Sequence, residues 1–426
     1  MPEDTPHQDS TPEDERTPRP RGMSRRGALG ALATAGVAAT AGCTLPSLSL
    51  GMQPVWTREL EAAAQAGPPA ATDDHVVVGA QDKHLHAFTA DGDRAFSYET
   101  GGPIDTQPAV PETGGPVHVQ STDGDLYTIS LDGEREWLES GETKHRWLTR
   151  QGSLLVGSDR DSDTITGYDA SDGTQRFQYA LHENSLPALT DDVGLLRREA
   201  MSGGTQLCAI DPVTGDFRWT GPTFDDSPSV VLGDSEFATA VGSVVRLHDV
   251  ADASELWATE VPGELDYGWG PELWLGEHVY VHVERRDQPD ELVALDRSDG
   301  RITWRQPVGY ELDCVQPTDE AVFAASSVDD PDGGIVIRLD AFEHDGTRRW
   351  QTTTDIPIGG YVDAFGRTGS ILYAAGDTAG GAYDPTTGNR RWHHDPDSYN
   401  IALTGTTDAL YASHESTGKI ARLPTS

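Results

Sequence analysis

Apolar and polar positions alternate along this chain in short runs, and each run ends at a turn signal. In Leu292-Val-Ala-Leu-Asp296-Arg-Ser-Asp-Gly300-Arg-Ile-Thr-Trp304, Val293 and Leu295 alternate with other residues along one strand. Asp296 can accept backbone N–H bonds within the turn, Gly300 supplies the positive φ that closes it, and Trp304 falls at a fixed offset on the returning strand. The stretch recurs as Ile210-Asp-Pro-Val-Thr-Gly215-Asp-Phe-Arg-Trp219 and Tyr383-Asp-Pro-Thr-Thr-Gly388-Asn-Arg-Arg-Trp392. Leu339-Asp340 with Gly346 and Trp350 reads as another copy, and weaker ones end at Phe96, Trp137, Phe177 and Trp257.

Two further apolar strands precede each hairpin, as in Gln107-Pro-Ala-Val110, Pro116-Val-His-Val119, Asp125-Leu-Tyr-Thr-Ile-Ser130 and Arg135-Glu-Trp137. The aromatic positions 56, 96, 137, 177, 219, 257, 304, 350 and 392 stand 38 to 47 residues apart. Four short strands at that period, with no 3.6-residue periodicity, predict an all-β propeller rather than a helical solenoid. The final repeat stops after Lys419-Ile-Ala-Arg-Leu423, while Pro54-Val-Trp56-Thr has no repeat before it. Residues 54–60 are therefore expected to complete the last blade as its outer strand, which removes an open sheet edge.

Length and composition agree with this reading. The 426 residues suffice for one large repeat array, and Gly 46 and Pro 27 are spread along the chain, as many turns require. Charge changes the picture more. With 70 acidic against 31 basic residues the formal net charge is −39, a field that repels nucleic acid and anionic lipid headgroups. Lys83, Lys144 and Lys419 are the only lysines. Such an acidic, lysine-poor chain resembles proteins of salt-adapted archaea, where a Debye length of roughly 3 Å at 1 M salt screens the self-repulsion. Of three cysteines, Cys43, Cys208 and Cys314, the last two fall in different repeats, so buried thiols are expected rather than a disulfide framework.

The first 43 residues are of another kind. Residues 1–22 are acidic and proline-rich, then basic, without apolar periodicity, and read as disordered. Ser24-Arg25-Arg26-Gly-Ala-Leu opens an alanine- and glycine-rich run ending in Thr40-Ala41-Gly42-Cys43, the pattern of an export signal. Arg25 and Arg26 resemble a twin-arginine signal, and Ala-Gly-Cys43 resembles a lipobox whose cysteine is lipidated, although Thr40 stands where a Leu-like residue is usual. The run is shorter than the ~20 residues of a spanning helix. Met23 is an alternative start that keeps the signal intact. Residues 44–53 read as a tether and 54–426 as a single propeller domain.

The repeated Ala-x-Asp-x-x-(Thr/Ser)-Gly-x-x-x-Trp resembles the repeat of pyrroloquinoline-quinone-type β-propellers, and covers residues 54–423. The resemblance implies that Trp56, Trp137, Trp219, Trp257, Trp304, Trp350 and Trp392 each dock on the neighbouring blade, over the turn around the repeat's Gly. It also favours eight blades, whereas the repeats themselves count nine. Phe96, Phe177 and Ser254 (in place of the turn Gly) depart from the motif, so those contacts are expected to pack differently. One branch of the family comprises quinone-dependent alcohol and sugar dehydrogenases with calcium, a catalytic Asp and often an adjacent cysteine pair. The other is similar to the non-catalytic lipoprotein scaffold of the bacterial outer-membrane barrel-assembly machinery. This chain has no adjacent cysteine pair and little sequence for a cofactor cap.

Candidate chemistry is sparse. Asp159-Arg-Asp161-Ser-Asp163 has the spacing of the first calcium-loop ligands but lacks the loop's Gly and its twelfth-position Glu, Ala170 standing there. His84 and His86 share a strand face and could form half of a zinc site, whereas His393 and His394 point to opposite faces. Trp269, Trp274, Tyr310, Tyr361 and Tyr399 could rim the central funnel, or serve as packing. No catalytic residue, metal or cofactor is assigned. The reading is an exported, lipid-anchored, monomeric propeller on the outer face of the cytoplasmic membrane, a non-catalytic scaffold that binds a protein or small molecule. The alternatives are a dehydrogenase with pyrroloquinoline quinone and calcium in the funnel, and a sugar- or peptide-binding sensor.

Overall fold

The structure is a computed structural model. It describes residues 54–425 apart from 62–64, 112–113, 142–143, 160–161, 163, 181–187, 201–202, 226, 264–272, 286–287, 332, 359–361, 363, 377–378, 395–400 and 415–416. Arg25, Arg26, Cys43, Trp269, Tyr361 and Tyr399 thus lie outside the described residues.

The strands form nine antiparallel sheets, eight of four strands and one of three. Numbered along the chain, blade 1 spans residues 66–99, blade 2 109–139, blade 3 145–180, blade 4 188–224, blade 5 229–260, blade 6 273–307, blade 7 311–357 and blade 8 364–394. Blade 9 takes three strands from residues 401–423 and its outer strand, Trp56–Glu59, from the other end of the chain. Trp56 pairs with Arg422 and Glu59 with Lys419. The ring closes as the unmatched ends of the repeat array require, with the nine blades that the repeats count.

Blade 2 departs from the four-strand expectation. The segment read as its inner strand, 107–110, makes a single bridge between Ala109 and His118. Pro111, at the next ladder position, has no N–H to donate, so pairing cannot extend in that direction.

Nine apolar clusters hold the ring together, one at each junction between blades. Strand alternation explains this: successive residues face opposite sides, so each blade gives one apolar set to each neighbour. In blade 2, for example, Val117, Val119, Tyr127 and Ile129 pack on blade 1, and Leu126 packs on blade 3. The junction of blades 9 and 1 joins Tyr411 and Ile420 to Trp56, Val76 and Val78, so the ring is closed by packing as well as by pairing.

The signature aromatics dock as expected. The indole N–H of Trp137, Trp219, Trp257, Trp304, Trp350 and Trp392 donates to the carbonyl of Ala170, Val250, Arg297, His344, Pro385 and Pro424 on the next blade, at 2.8–3.1 Å. The rings lie on the turn glycines so closely that a Cβ at Gly173, Gly300, Gly346 or Gly388 would come within 2.5–2.7 Å of the indole. Phe96 and Phe177 keep the same position over Gly133 and Gly215; they lose the N–H bond but not the packing.

Two readings of the signature need correction. The residue at the turn-glycine position of blade 5 is Ala253, not Ser254: its N–H bonds the Asp249 carbonyl at 3.0 Å, as that of Gly300 bonds Asp296 at 2.9 Å, and it sits at φ 62°. Asp340 is not a turn residue. It lies within the strand Ile335–Phe342, fully buried, paired with Arg338 at 2.7 Å and Arg348 at 2.9 Å. The turn starts three residues later, where the Gly346 N–H bonds the Glu343 carbonyl.

Ala253→Gly is expected to raise stability by about 1 kcal/mol by relieving a left-handed alanine, whereas Ser254→Gly is not. Trp304→Phe should cost about 1 kcal/mol through the lost hydrogen bond, and Trp304→Ala about 3–5 kcal/mol. Thermal and urea unfolding of the four variants checks the order.

Candidate functional site

The propeller has two unlike faces. On one lie the turns between third and outer strands, which carry the signature. There the Asp Oδ1 accepts the backbone N–H two residues on, at 2.7–2.9 Å, in Asp169, Asp211, Asp249, Asp296 and Asp384. Arg176, Arg218 and Arg391 add ion pairs to Asp169, Asp211 and Asp384. The Ser171 hydroxyl, together with Arg176, holds the Asp169 carboxyl down at about 2. These groups shape hairpins. The opposite face carries the connections from each outer strand to the next inner strand and those between second and third strands.

The sequence candidates separate accordingly. Tyr310 stands on the connection face at 56 % exposure. Trp274 packs beside the cluster of Tyr280, Trp304 and Leu312 and is a packing residue. His84 and His86 do share a face, with rings 5.7 Å apart. His86, however, is held by Asp82 at 3.0 Å and by Ser97 at 3.2 Å, and burial pushes its pKa down. Asp159 accepts the Ser162 hydroxyl at 2.7 Å, while Asp161 and Asp163 lie outside the described residues, and Ala170 is buried. No cluster of three metal-ligating side chains occurs among the described residues. His393 is half-buried on the outer strand of blade 8, and the His394 side chain is not described. Cys208 and Cys314 carry reduced thiols on different blades.

Sequence reasoning missed the seam between blades 2 and 3. Where neighbouring seams are apolar, this one buries His118, Gln120, Thr128, His145 and Thr166. His118 bonds Thr128 Oγ1 through Nδ1 at 2.7 Å and lies 3.1 Å from an Arg150 guanidinium nitrogen through Nε2. Arginine can only donate, so Nε2 accepts and Nδ1 carries the proton. Burial, with Arg150 nearby, takes the His118 pKa down to about 3. His145 bonds the Tyr168 hydroxyl at 3.1 Å, and burial takes it to about 4 against the opposing pull of Asp159 and the Ser158 carbonyl. The signal was present: His118, Gln120 and Thr128 occupy alternate positions on one face, where other repeats place apolar residues.

Fold and repeat together define a β-propeller built from PQQ-like repeats. The family described as outer membrane protein assembly factor BamB matches residues 52–160 and 240–408, well over half the chain, and the chain belongs to this family. No curated protein sequence matches it. Among solved structures it is similar to BamB from Moraxella catarrhalis, at 14% identity and TM-score 0.50, over 87% of this chain and 98% of that one. It is also similar to the computationally designed Ika8 protein, at 14% identity and TM-score 0.54, over 86% and 98%. Sqt1 of Saccharomyces cerevisiae matches at 11% identity and TM-score 0.52, over 75% and 95%. At these identities the likeness concerns the fold.

The two seam histidines, His118 and His145, predict a pH dependence. In the unfolded chain each titrates near about 6.5; in the fold both stay neutral to far lower pH. Unfolding therefore takes up protons, and stability falls as pH drops from about 6.5 towards 4, at up to ~1.4 kcal/mol per unit per histidine. His118→Gln should flatten that slope by up to one histidine's share, read from urea unfolding between pH 7 and about 4.

Proposed function

We propose that the protein is a non-catalytic scaffold, exported and lipid-anchored on the outer face of the cytoplasmic membrane, which binds a protein partner through its connection face. Membership of a family named for an assembly factor supports a binding role over catalysis. One observation carries the orientation. The outer strand Trp56–Glu59 starts beside Arg422 and runs towards Lys419, so the chain enters the ring at its signature-turn face, where it also ends near Pro424.

A lipid on Cys43 would thus pull the signature-turn face towards the membrane. The tether of residues 44–53 reaches at most roughly 35 Å when extended, which leaves the connection face directed outward with Tyr310 on it. A protein partner suits that face, because most of the described histidines and carboxylates that could do chemistry are already engaged in holding strands and hairpins. The acidic, lysine-poor composition supports a high-salt setting, and the array needs no second chain to close.

Cys43→Ser should release the protein from the membrane fraction, and Arg25→Lys with Arg26→Lys should block its export; retention of both wild-type behaviours would overturn the anchored reading. Tyr310→Ala should weaken recovery of the surface partner in crosslinking pull-downs without lowering the melting temperature. Calorimetry of the propeller in molar salt with pyrroloquinoline quinone and calcium should give no saturable heat. Calcium-dependent binding would replace the scaffold reading with the dehydrogenase one.

A further inference from the structure

Among the described residues four large apolar side chains stand exposed: Val213 at 55 %, Leu256 at 49 %, Phe217 at 39 %, and Tyr310 on the connection face. The first three share one sector of the ring. Val213 is in the signature turn of blade 4, Phe217 opens that blade's outer strand, and Leu256 is the second residue of the outer strand of blade 5. The positions themselves do not call for apolar residues. Phe217 stands two residues before the docking aromatic, where blades 1, 2, 7 and 8 carry Arg94, Arg135, Arg348 and Arg390. Leu256 stands one residue before it, where Arg176, Arg218, Arg349 and Arg391 pair with turn carboxylates in blades 3, 4, 7 and 8.

Packing within the ring does not cover this sector. Phe217 leans on Tyr179 of blade 3, with ring centroids 4.9 Å apart, and the Arg198 guanidinium lies 5.5 Å from its ring, yet the side chain stays exposed. Leu256 alternates with Trp257, which docks on blade 6, so Leu256 is turned back towards blade 4. Its place in the ring says what covers the sector. The chain enters at blade 9 on the signature-turn face, and blades 4 and 5 each lie four blades from blade 9, one in either direction. The apolar sector is therefore on the tethered face and directly across the ring from the tether. A single lipid chain anchors only marginally, and stable attachment takes a second contact.

We propose that Val213, Phe217 and Leu256 form a second membrane contact, which enters the headgroup layer of the lipid surface and lays the signature-turn face against it. The inference rests on the anchored reading for its orientation. Asp216, Asp252 and Glu255 border the sector as exposed carboxylates, so the contact is apolar rather than electrostatic. Molar salt shortens the Debye length to roughly 3 Å and screens their repulsion from anionic headgroups, while the burial of apolar surface stays in force. Affinity for lipid therefore rises with salt, the opposite of what a basic patch would show.

The test is co-sedimentation of the mature chain, residues 43–426 with Cys43→Ser, with vesicles of phosphatidylcholine and anionic phosphatidylglycerol at low and at molar salt. Saturable binding is expected, and it should strengthen at molar salt. There, Val213→Ser, Phe217→Arg and Leu256→Ser combined should weaken it about tenfold, with Tyr310→Ala unchanged. Arginine at position 217 is what four other blades carry, and Val213 and Leu256 are exposed, so the variant should fold. Melting curves check this, and Val213→Ser with Leu256→Ser alone should give a partial loss. The proposal is overturned by an absence of binding at either salt, by binding indifferent to the triple variant, or by binding that fades as salt rises. Because this chain carries no lipid, those outcomes leave the anchored reading standing. That reading fails separately if Cys43 of the native protein proves unmodified by mass spectrometry.

Discussion

The contact on which the ring depends is an aromatic side chain laid over the turn of the next blade. It works because three requirements meet at one point. The turn needs a residue at positive φ, and Gly92, Gly133, Gly173, Gly215, Gly300, Gly346 and Gly388 supply it, with φ between 71° and 85°. The missing Cβ leaves a flat patch, and an aromatic ring covers that patch within van der Waals contact. Burying a ring of 150–250 Å² contributes roughly 4–6 kcal/mol gross, a tie repeated at successive junctions alongside the apolar clusters. A second bond accompanies it. Two residues beyond the aromatic, Arg58, Thr259, Gln306 and Thr352 donate to the carbonyls of Gly92, Gly300, Gly346 and Gly388, at 2.6–3.0 Å.

The closing junction uses the same contact, on a blade whose outer strand and other three strands come from opposite ends of the propeller. Trp56 covers Gly92, yet its indole N–H is buried without a partner. Arg58 compensates, with its guanidinium 5.6 Å from the Trp56 ring and its Nε on the Gly92 carbonyl at 2.6 Å. The last turn of the array is absent altogether. There Trp392 bonds the Pro424 carbonyl, and Thr425 is tied to Ser370 and Asp408, so residues 424–425 take the place of a hairpin.

Periodicity exposed most of this in the sequence. Nine aromatic positions and one unmatched strand counted nine blades and a closed ring, and the nine sheets follow that count rather than the eight that the family resemblance favoured. Asp340 was misplaced because turn length varies, whereas the four-residue span that holds at Gly300 lands on Ala253 and would have identified it. Gly N–H bonds span four residues at Gly173, Gly215, Gly300 and Gly388 but three at Gly92, Gly133 and Gly346, and a fixed Asp-to-Gly spacing cannot serve both. The polar seam was legible only by half, since His118, Gln120 and Thr128 mark one strand face but not what they meet. His118 and Gln120 are adjacent to His145, Tyr168 and Arg150 only after two blades have packed, and no spacing along the chain encodes that.

The same contact also decides where the molecule is free to vary. Most signature turns are gripped by the aromatic of the preceding blade, so a change in length there would disturb a junction. Third and outer strands accordingly stay a few residues apart throughout, from Thr89 to Arg94 in blade 1 and from Tyr383 to Arg390 in blade 8. Connections on the other face differ more in length. The connection between blades 6 and 7 runs only from Pro307 to Glu311, whereas that between blades 5 and 6 runs from Glu260 to Leu273. Loops released from packing are where recognition can be built on a rigid scaffold. The docking that fixes one face therefore leaves the other free to vary, and the outer strand that begins at Trp56 enters the ring on the fixed face.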